Sequence, residues 1–221
     1  MREPFADRSA AGHELAEHLS QYRGRDDVVV LGLPRGGVPV AYEVAQALDA
    51  PLDVFVVRKL GVPGHEELAM GAIASGGVRV LNEDVVAGIG IEERDIDAVA
   101  AREQGELERR ERTYRGDRDP LDVEGRTAIV VDDGLATGAT MRAAVKALRE
   151  RQAGTIVVAV PTASPQTCDE VGEAVDEIIC ARTPEPFMAV GLWYQDFRPT
   201  SDEEVRRLVE TAASPPPARR A

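Results

Sequence analysis

Residues 127–140, TAIVVDDGLATGAT, decide the fold of this chain. The first six, 127–132, form a short run that is typical of a strand buried on both faces of a parallel sheet. Gly134 and Gly138 then allow the backbone to curl, and a helical pattern follows over about 139–151. A strand, a glycine-rich turn and a helix in this order predict a βα unit whose turn lies at the carboxyl end of its strand.

The same alternation extends in both directions along the chain. Helical patterns separate most of the other strand-like apolar runs, which are 28–33, 52–57, 155–160 and 176–181. Strands that alternate with helices imply right-handed βαβ units. We therefore predict an α/β fold with a mostly parallel central sheet flanked by helices, in which ligands bind at the carboxyl ends of the strands.

Four segments add to this alternation. Residues 8–22 predict an N-terminal helix, and the charged residues 92–115 predict a helix that covers one edge of the sheet. Residues 71–75 and 78–82, joined by two glycines, predict a β-hairpin. Residues 58–70, which are rich in glycine and charge, predict a flexible loop.

The domain organisation predicted from these segments is simple. We expect one domain over 1–212, with its core at about 24–182. The proline-rich residues 213–221 predict a disordered tail.

Composition excludes several classes of protein. Hydrophobic residues make up 43% of the chain, which is enough for a packed core. No apolar run approaches the roughly 20 residues of a membrane helix, and the N-terminus lacks the apolar region of a secretion signal. We therefore expect a cytoplasmic protein with no membrane partner. The net charge of −13 argues against nucleic acid as a partner.

The two cysteines, Cys168 and Cys180, form neither a C-x-x-C pair nor a metal-binding spacing. In a reducing cytoplasm we expect both to be free thiols that lie in or near the core.

The turn after residue 131 contains groups that could bind a ligand. Its glycines let successive backbone N–H groups converge on an anion, and the positive end of the following helix dipole reinforces that cup. Thr137 and Thr140 add hydroxyl donors. Asp132 and Asp133 suit a diol or a metal ion and would repel a phosphate, so the phosphate belongs further along the turn. The segment is neither a Walker A loop nor a G-x-G-x-x-G fingerprint.

This segment resembles the phosphoribosyl pyrophosphate (PRPP) signature of type I phosphoribosyltransferases, in which paired acids and a Thr-Gly-x-Thr ending follow an apolar strand. Its amino-acid sequence is most similar to that of the adenine and uracil members. The resemblance covers about 28–197, mainly in layout outside the signature. It implies that the acids hold the ribose hydroxyls and that Thr-Gly-x-Thr holds the 5′-phosphate. The residues implied in this subsite are Asp132, Asp133, Gly134, Leu135, Ala136, Thr137, Gly138, Ala139 and Thr140.

One departure from the family concerns the loop itself. Hypoxanthine-guanine members have an Asp where this chain has Ala136, which removes one candidate acid or base from the loop.

The loop after the first strand, Leu33-Pro34-Arg35-Gly36-Gly37, resembles the pyrophosphate loop of the family. There the resemblance implies a non-proline cis peptide, here between Pro34 and Arg35, with pyrophosphate bound by Arg35, Gly36 and Gly37. A plain tight turn is the alternative.

A basic pair, Arg58-Lys59, opens the segment that resembles the flexible loop of the family. Only two of the 26 basic residues are lysines, so Lys59 stands out. We expect Arg58 or Lys59 to bind pyrophosphate together with Arg35, because the 5′-phosphate already has its own backbone cup. The candidate catalytic residues are Lys59, Glu66 and Glu67, with His65 nearby. Solvated surface charges are the alternative.

The resemblance also implies a small hood that holds the acceptor base, which we expect at 183–200 together with the N-terminal helix. Residues 185–197 contain most of the scarce aromatic residues, and we expect Phe187, Trp193 and Tyr194 to stack on a base. The alternative is that these rings pack the C-terminal segment onto the core. A lysine that hypoxanthine-guanine members place after the fourth strand is absent from 161–167, PTASPQT, so a 6-oxopurine acceptor is not established.

The resemblance implies transfer of phosphoribosyl from PRPP to a nitrogenous base, with release of pyrophosphate, as in nucleotide salvage. It also implies Mg²⁺ near Asp132 and Asp133, bound directly or through water or ribose oxygens, and a homodimer. Two alternatives remain: a non-catalytic PRPP-binding regulatory protein, and an enzyme that acts on another ribose-phosphate substrate. No DNA-binding segment is expected, which disfavours the regulator.

Overall fold

The computed structural model describes residues 3–213. A five-stranded sheet, parallel throughout, forms the centre of an α/β fold, as predicted. In spatial order its strands are β2 (Leu52–Val54), β1 (Val28–Gly32), β6 (Thr127–Val131), β7 (Thr155–Thr162) and β8 (Glu177–Arg182). The helices are α1 (Arg8–His18), α2 (Gly37–Leu48), α3 (Glu83–Ile89), α4 (Glu93–Arg115), α5 (Ala139–Glu150), α6 (Pro165–Gly172) and α7 (Asp202–Ala213).

Helices cover both faces of the central sheet because its strands are apolar on both sides. Val29 and Leu31 of β1 pack on the side of α5 and α6. Val28 and Val30 pack on the opposite side, against α1 and α2. The near-continuous hydrophobic runs recognised in the sequence are therefore the consequence of burial on two faces.

The segment predicted as a flexible loop, 58–70, is largely strand. It contributes to a three-stranded antiparallel sheet of β3 (Val57–Val62), β4 (His65–Ala74) and β5 (Val78–Leu81). The loop prediction was wrong because glycine and charge hid the apolar residues of this segment: Leu60, Val62 and Met70 are buried. The predicted hairpin is β4–β5, and the predicted second strand is divided between β2 and β3.

Helix α7 was not predicted. Its buried residues, Val205 and Val209, lie in the same hydrophobic cluster as Leu107 and Tyr114 of α4 and Val38 of α2. Its apolar residues follow the i, i+3, i+4, i+7 spacing of an amphipathic helix, so the sequence carries a signal for α7 that the prediction missed: Val205, Leu208, Val209 and Ala212. Of the predicted disordered tail only Ala213 belongs to the described residues, as the end of α7; 214–221 lie outside them.

The two cysteines are not free thiols: Cys168 of α6 and Cys180 of β8 form a disulfide, with their Cα atoms 6.7 Å apart. The expectation of free thiols was wrong because spacing alone could not show that α6 folds back onto β8. The bond closes a short loop that contains the α6–β8 connection.

Within the described residues, no helix is both long and apolar enough to cross a membrane.

A buried ion pair connects the end of α4 to the edge of the central sheet. Arg115 Nε donates to both carboxylate oxygens of Asp53 at 3.0 and 3.1 Å. Arg115 also donates to the Val54 carbonyl, and Asp53 accepts the backbone N–H of Leu121. Because the side chains of both partners are at most 7% exposed, neither charge has water as an alternative partner.

We expect Arg115→Met to lower the free energy of unfolding by about 3–5 kcal/mol, because it leaves Asp53 buried without its cation. The matched control is Arg109→Met, which removes an exposed pair with Glu106 and should change the free energy of unfolding far less. Urea unfolding of the two variants measures both values. Equal losses would contradict the structural role of the Arg115–Asp53 pair.

Candidate active site

The loops predicted to carry function meet at the carboxyl edge of the central sheet. Gly32 and Val131 are paired in the register of β1 and β6, so the following loops leave the sheet side by side. Leu33 N–H donates to the Val131 carbonyl at 2.9 Å, and Leu135 N–H donates to the Thr162 carbonyl at 3.0 Å. The two glycine-rich loops are thus adjacent, and the second is also attached to β7.

The loop after β1 has the cis peptide bond expected between Pro34 and Arg35. Its glycines lie against the acid pair. A Cβ on Gly37 would stand 2.6 Å from the Val131 carbonyl oxygen and 2.8 Å from the Asp132 Cα, and one on Gly36 would stand 2.0 Å from Asp133 Oδ2. No larger residue fits at either position without movement of the neighbouring loop.

Asp132 and Asp133 lie together at the end of β6, and Asp133 N–H donates to Asp132 Oδ1 at 2.9 Å. Burial and the charge of Asp133 raise the pKa of Asp132 well above its ordinary value. Burial also raises the pKa of Asp133, although the cation of Arg8 opposes that change. Burial therefore destabilises the ionised form of the pair, which a cation or hydroxyl donors would stabilise.

Arg8, which the sequence analysis did not single out, is in direct contact with this pair. Its Nε and one terminal nitrogen each lie 2.9 Å from Asp133 Oδ2. The sequence offered no signal for this contact, since the two residues are 125 positions apart.

The segment after the acids presents free backbone donors. Among the described residues, no protein acceptor contacts the backbone N–H groups of Ala136, Thr137, Gly138 and Thr140. Gly138 has a φ of 68°, the left-handed conformation that glycine adopts readily, and α5 begins at the next residue. Unpaired N–H groups at the start of a helix form an anion site, so the expected phosphate cup has the required donors.

Two neighbouring side chains donate hydrogen bonds to carbonyl oxygens of this segment. Thr167 Oγ1 donates to the Ala136 carbonyl at 2.9 Å, and Arg142 donates to the Thr137 carbonyl at 2.6 Å. Both hold carbonyl oxygens of the loop. Ser164 caps α6 by accepting the backbone N–H of Thr167, so Thr167 connects the loop to the start of that helix.

The basic pair of the hairpin divides between the two sides of β3. Arg58 donates twice to Glu103 Oε2 of α4, at 3.0 and 2.6 Å. Lys59 instead lines a cavity of about 460 Å³ between the small sheet and α5, together with Thr140 and Lys146. Lys59 and Thr140 therefore line the same cavity, whereas Arg58 is paired with α4.

The remaining candidates on the hairpin are exposed. His65, Glu66 and Glu67 lie at the start of β4. Lys59 Nζ lies 3.3 Å from the Glu67 carbonyl oxygen and 3.7 Å from its carboxylate. Neither acid contacts the loop of 132–140 in this conformation.

Arg35 points away from the acid pair. Its guanidinium lies 3.8 Å from Asp202 at the start of α7, and both side chains are about half exposed. Such a pair contributes little to stability, so Arg35 can exchange Asp202 for another anion at low cost.

The aromatic residues of the hood have different environments. Tyr194 is buried between the rings of Phe5 and Phe197, and its hydroxyl donates to the Asp133 carbonyl at 2.6 Å. Burial raises the pKa of Tyr194. Its ring offers no open face to a base, so packing, the alternative considered above, describes Tyr194. Phe187 and Trp193 are half-buried.

Comparison with known proteins gives the family. Residues 6–186 match the family model described as phosphoribosyl transferase domain. The chain belongs to this family.

Individual relatives agree with that assignment. A Mycobacterium tuberculosis protein that carries the provisional name phosphoribosyl transferase is 50% identical over 208 residues, which are 94% of this chain and 47% of the relative. The chain is also 34% identical over 145 residues, 56% of its length, to a ribose-phosphate pyrophosphokinase of Methanopyrus kandleri, of which the match covers 49%. The chain thus spans about half the length of the curated relatives it matches.

A solved structure supports the fold throughout. The crystal structure of a protein from Thermus thermophilus has a TM-score of 0.85 and 40% identity, and the match covers 96% of this chain and all of that one. The fold of this chain, including the small antiparallel sheet and residues 183–200, therefore recurs in a protein of 40% identity.

The contact between the glycine loop and the acids generates a prediction. Gly37→Ala should lower the free energy of unfolding by about 1–3 kcal/mol, because the new Cβ meets backbone atoms that cannot move independently. The control is Gly88→Ala in α3, where a Cβ has open space; a helical glycine replaced by alanine should stabilise by a few tenths to about 1 kcal/mol. Urea denaturation measures both. A stabilised Gly37→Ala variant would contradict the close packing of the two loops.

Proposed function

We propose that this chain transfers the phosphoribosyl group of PRPP to a nitrogenous base and releases pyrophosphate. The observation that carries the proposal is the combination, on one edge of the sheet, of four free backbone N–H groups and a pair of carboxylates. A ribose phosphate has complementary groups in the same order: an anion at one end and a diol at the other.

The donor would bind as follows. Its 5′-phosphate accepts hydrogen bonds from the N–H groups of 136–140 and from the hydroxyls of Thr137 and Thr140. Its ribose hydroxyls donate to Asp132 and Asp133. These roles follow the resemblance in the signature, and the open donors of the loop support them.

Pyrophosphate would lie beside Gly36 and Gly37, where the absence of side chains allows close approach to the backbone. Arg35 supplies positive charge when it leaves Asp202, since their exposed pair is weak. Stabilisation of the departing charge by such fixed donors and a cation lowers the barrier to cleavage.

Lys59 is assigned differently from the expectation based on sequence. It shares a cavity with Thr140, so we propose that its ammonium acts at the 5′-phosphate end of the donor. Glu67, its partner in this conformation, would be displaced as the anion binds.

Mg²⁺ suits the oxygen ligands of the acid pair. Within residues 3–213 no group of three or more metal-ligating side chains occurs, and Asp133 Oδ2 already contacts Arg8. A magnesium ion would therefore be held by Asp132 with substrate oxygens and water, which is its usual mode in phosphate-binding sites. Its chemistry there is neutralisation of the pyrophosphate charge.

The reaction requires little from protein side chains beyond position. The bond between C1 of the ribose and the pyrophosphate oxygen breaks, and a bond from C1 to a ring nitrogen of the base forms. Pyrophosphate leaves with the bonding electron pair, and the base loses its ring proton. Closure of the hairpin would exclude water and bring Glu66 and Glu67 near that proton. Phe187 and Trp193 of the hood remain the proposed contacts of the base.

A second function has one observation in its favour. The ribose-phosphate pyrophosphokinase of Methanopyrus kandleri, a partial relative, takes its name from a ribose phosphate. An enzyme that acts on another ribose-phosphate substrate, or a regulator that only binds PRPP, would use the same loop.

A homodimer, the assembly implied by the family resemblance, is also proposed, and light scattering at micromolar concentration tests it.

PRPP with Mg²⁺ should raise the melting temperature, and ligand at 100 times its dissociation constant should add about 2.7 kcal/mol of stability. Asp132→Asn should weaken binding by roughly 1.5–3 kcal/mol because it removes a charge-assisted hydrogen bond. Asp84→Asn, an exposed acid of α3, is the control and should bind as the wild type does. Calorimetry measures the affinities. No shift and no heat at millimolar PRPP would contradict the proposal.

Catalysis is tested separately by measuring pyrophosphate release from PRPP and Mg²⁺ with a panel of bases. Release with one base identifies the acceptor. Binding of PRPP without release for any base would favour the regulatory alternative.

The position of Lys59 generates a further prediction. Lys59→Met should weaken the binding of PRPP and of ribose 5-phosphate by the same factor, because both ligands carry the 5′-phosphate. Lys146→Met is the matched control: it lines the same cavity but lies six residues beyond Thr140, about 9 Å along α5, and should cause a smaller loss. Calorimetric titrations with both ligands distinguish the cases. A much larger loss of affinity for PRPP than for ribose 5-phosphate would instead indicate that Lys59 binds the pyrophosphate.

A further inference from the structure

Arg8, the first residue of α1, is where the separate parts of the candidate site converge. Its guanidinium contacts Asp133 of the signature loop and donates to the Arg198 carbonyl at 2.8 Å. It also lies 4.1 Å from the centre of the Phe197 ring in the hood. A Cβ on Gly36 of the glycine loop would be 3.3 Å from Arg8 Nε. One side chain therefore contacts the acid pair and residues 197–198, and it lies beside Gly36 of the glycine loop.

The contact with Asp133 is built in a specific way. Both nitrogens of Arg8 approach the same carboxylate oxygen, Oδ2, at 2.9 Å. Among the described residues, no hydrogen bond reaches Asp133 Oδ1. The carboxylate is thus held by one oxygen while the other is available to a ligand hydroxyl.

Burial makes this geometry stable. The side chains of Arg8 and Asp133 are 12% and 16% exposed. Charge-assisted hydrogen bonds with limited access to water are stronger and better oriented than surface pairs. The stacked Phe197 ring and the Arg198 carbonyl further restrict the rotation of the guanidinium.

Attachment of the N-terminal segment does not depend on Arg8 alone. Phe5 N–H donates to the Trp193 carbonyl, and the Phe5 carbonyl accepts from Gln195 N–H, both at 2.8 Å. Arg182 of β8 stacks on Phe5, 3.7 Å from its ring centre, and bonds to Glu14 of α1. A purely mechanical role for Arg8 would duplicate these contacts, so its particular feature is the bond to Asp133.

We propose that Arg8 is a positioning residue of the donor site: it fixes the carboxylate of Asp133 so that Oδ1 can accept a ribose hydroxyl, and it holds the hood in register with the acid pair. This inference rests on the proposed function, since it assigns Asp133 to the ribose of PRPP. Arg8 acts through Asp133 and has no assigned contact with the donor.

The test is a double-mutant cycle on the affinity for PRPP with Mg²⁺, measured by calorimetry on the full chain. Arg8→Met should weaken binding about tenfold or more, in line with the loss of a charge-assisted bond. Asp133→Asn should also weaken it. The variant with both changes should bind no more weakly than Asp133→Asn, because Arg8 has no effect once the group it positions is altered.

The matched control is Arg182→Met, which removes the other arginine that holds the N-terminal segment. It should lower the melting temperature and leave the affinity within twofold of the wild type. If Arg8→Met does not fold, Arg8→Gln replaces it in the cycle; glutamine loses the charge and at least one of the two contacts with Asp133, so its binding should still be weaker than that of the wild type.

Three results would overturn the inference: an Arg8 variant that binds as the wild type does, losses that multiply in the double variant, or an equal loss in Arg182→Met. Each presupposes that the wild type binds PRPP. A wild type that does not bind PRPP overturns the proposed function itself, so the two failures are distinguishable.

Discussion

The close contact between two loops at the carboxyl edge of the central sheet is the constraint on which the site depends. Because Gly32 and Val131 are paired in neighbouring parallel strands, the glycine loop and the acid pair have to share one small space. Only residues without a Cβ fit at Gly36 and Gly37. The same contact places the acids beside the backbone that approaches the pyrophosphate in the proposed reaction.

The chain combines an overall charge of −13 with a proposed site for a polyanion, and its ion pairs explain how the two can coexist. Arg8, Arg35, Arg58 and Lys59 each face an acid, namely Asp133, Asp202, Glu103 and Glu67. The pairs of Arg35 and Lys59 are long and exposed, whereas those of Arg8 and Arg58 are shorter and more buried. The exposed cations can therefore exchange partners with a ligand, and the buried ones maintain the architecture around it.

Local sequence patterns were sufficient for the features that depend on neighbouring residues. The two-sided apolar strands predicted the central sheet, and the resemblance of Leu33–Gly37 to a family loop predicted the cis peptide. Features that depend on distant residues could not be predicted. The disulfide of Cys168 needs the packing of α6 on β8, and β3 with the first part of β4 packs on partners that are distant in sequence. Arg8 and Tyr194 reach Asp133 from 125 and 61 positions away.

The central claim is that residues 134–140 hold the phosphate of a ribose phosphate. Titration of isotope-labelled protein with ribose 5-phosphate, followed through backbone amide resonances, tests it most directly. The account predicts that the largest shifts occur at Ala136, Thr137, Gly138 and Thr140, whose N–H groups have no partner among the described residues. Shifts that are absent from this loop, or that are concentrated elsewhere on the chain, would contradict it.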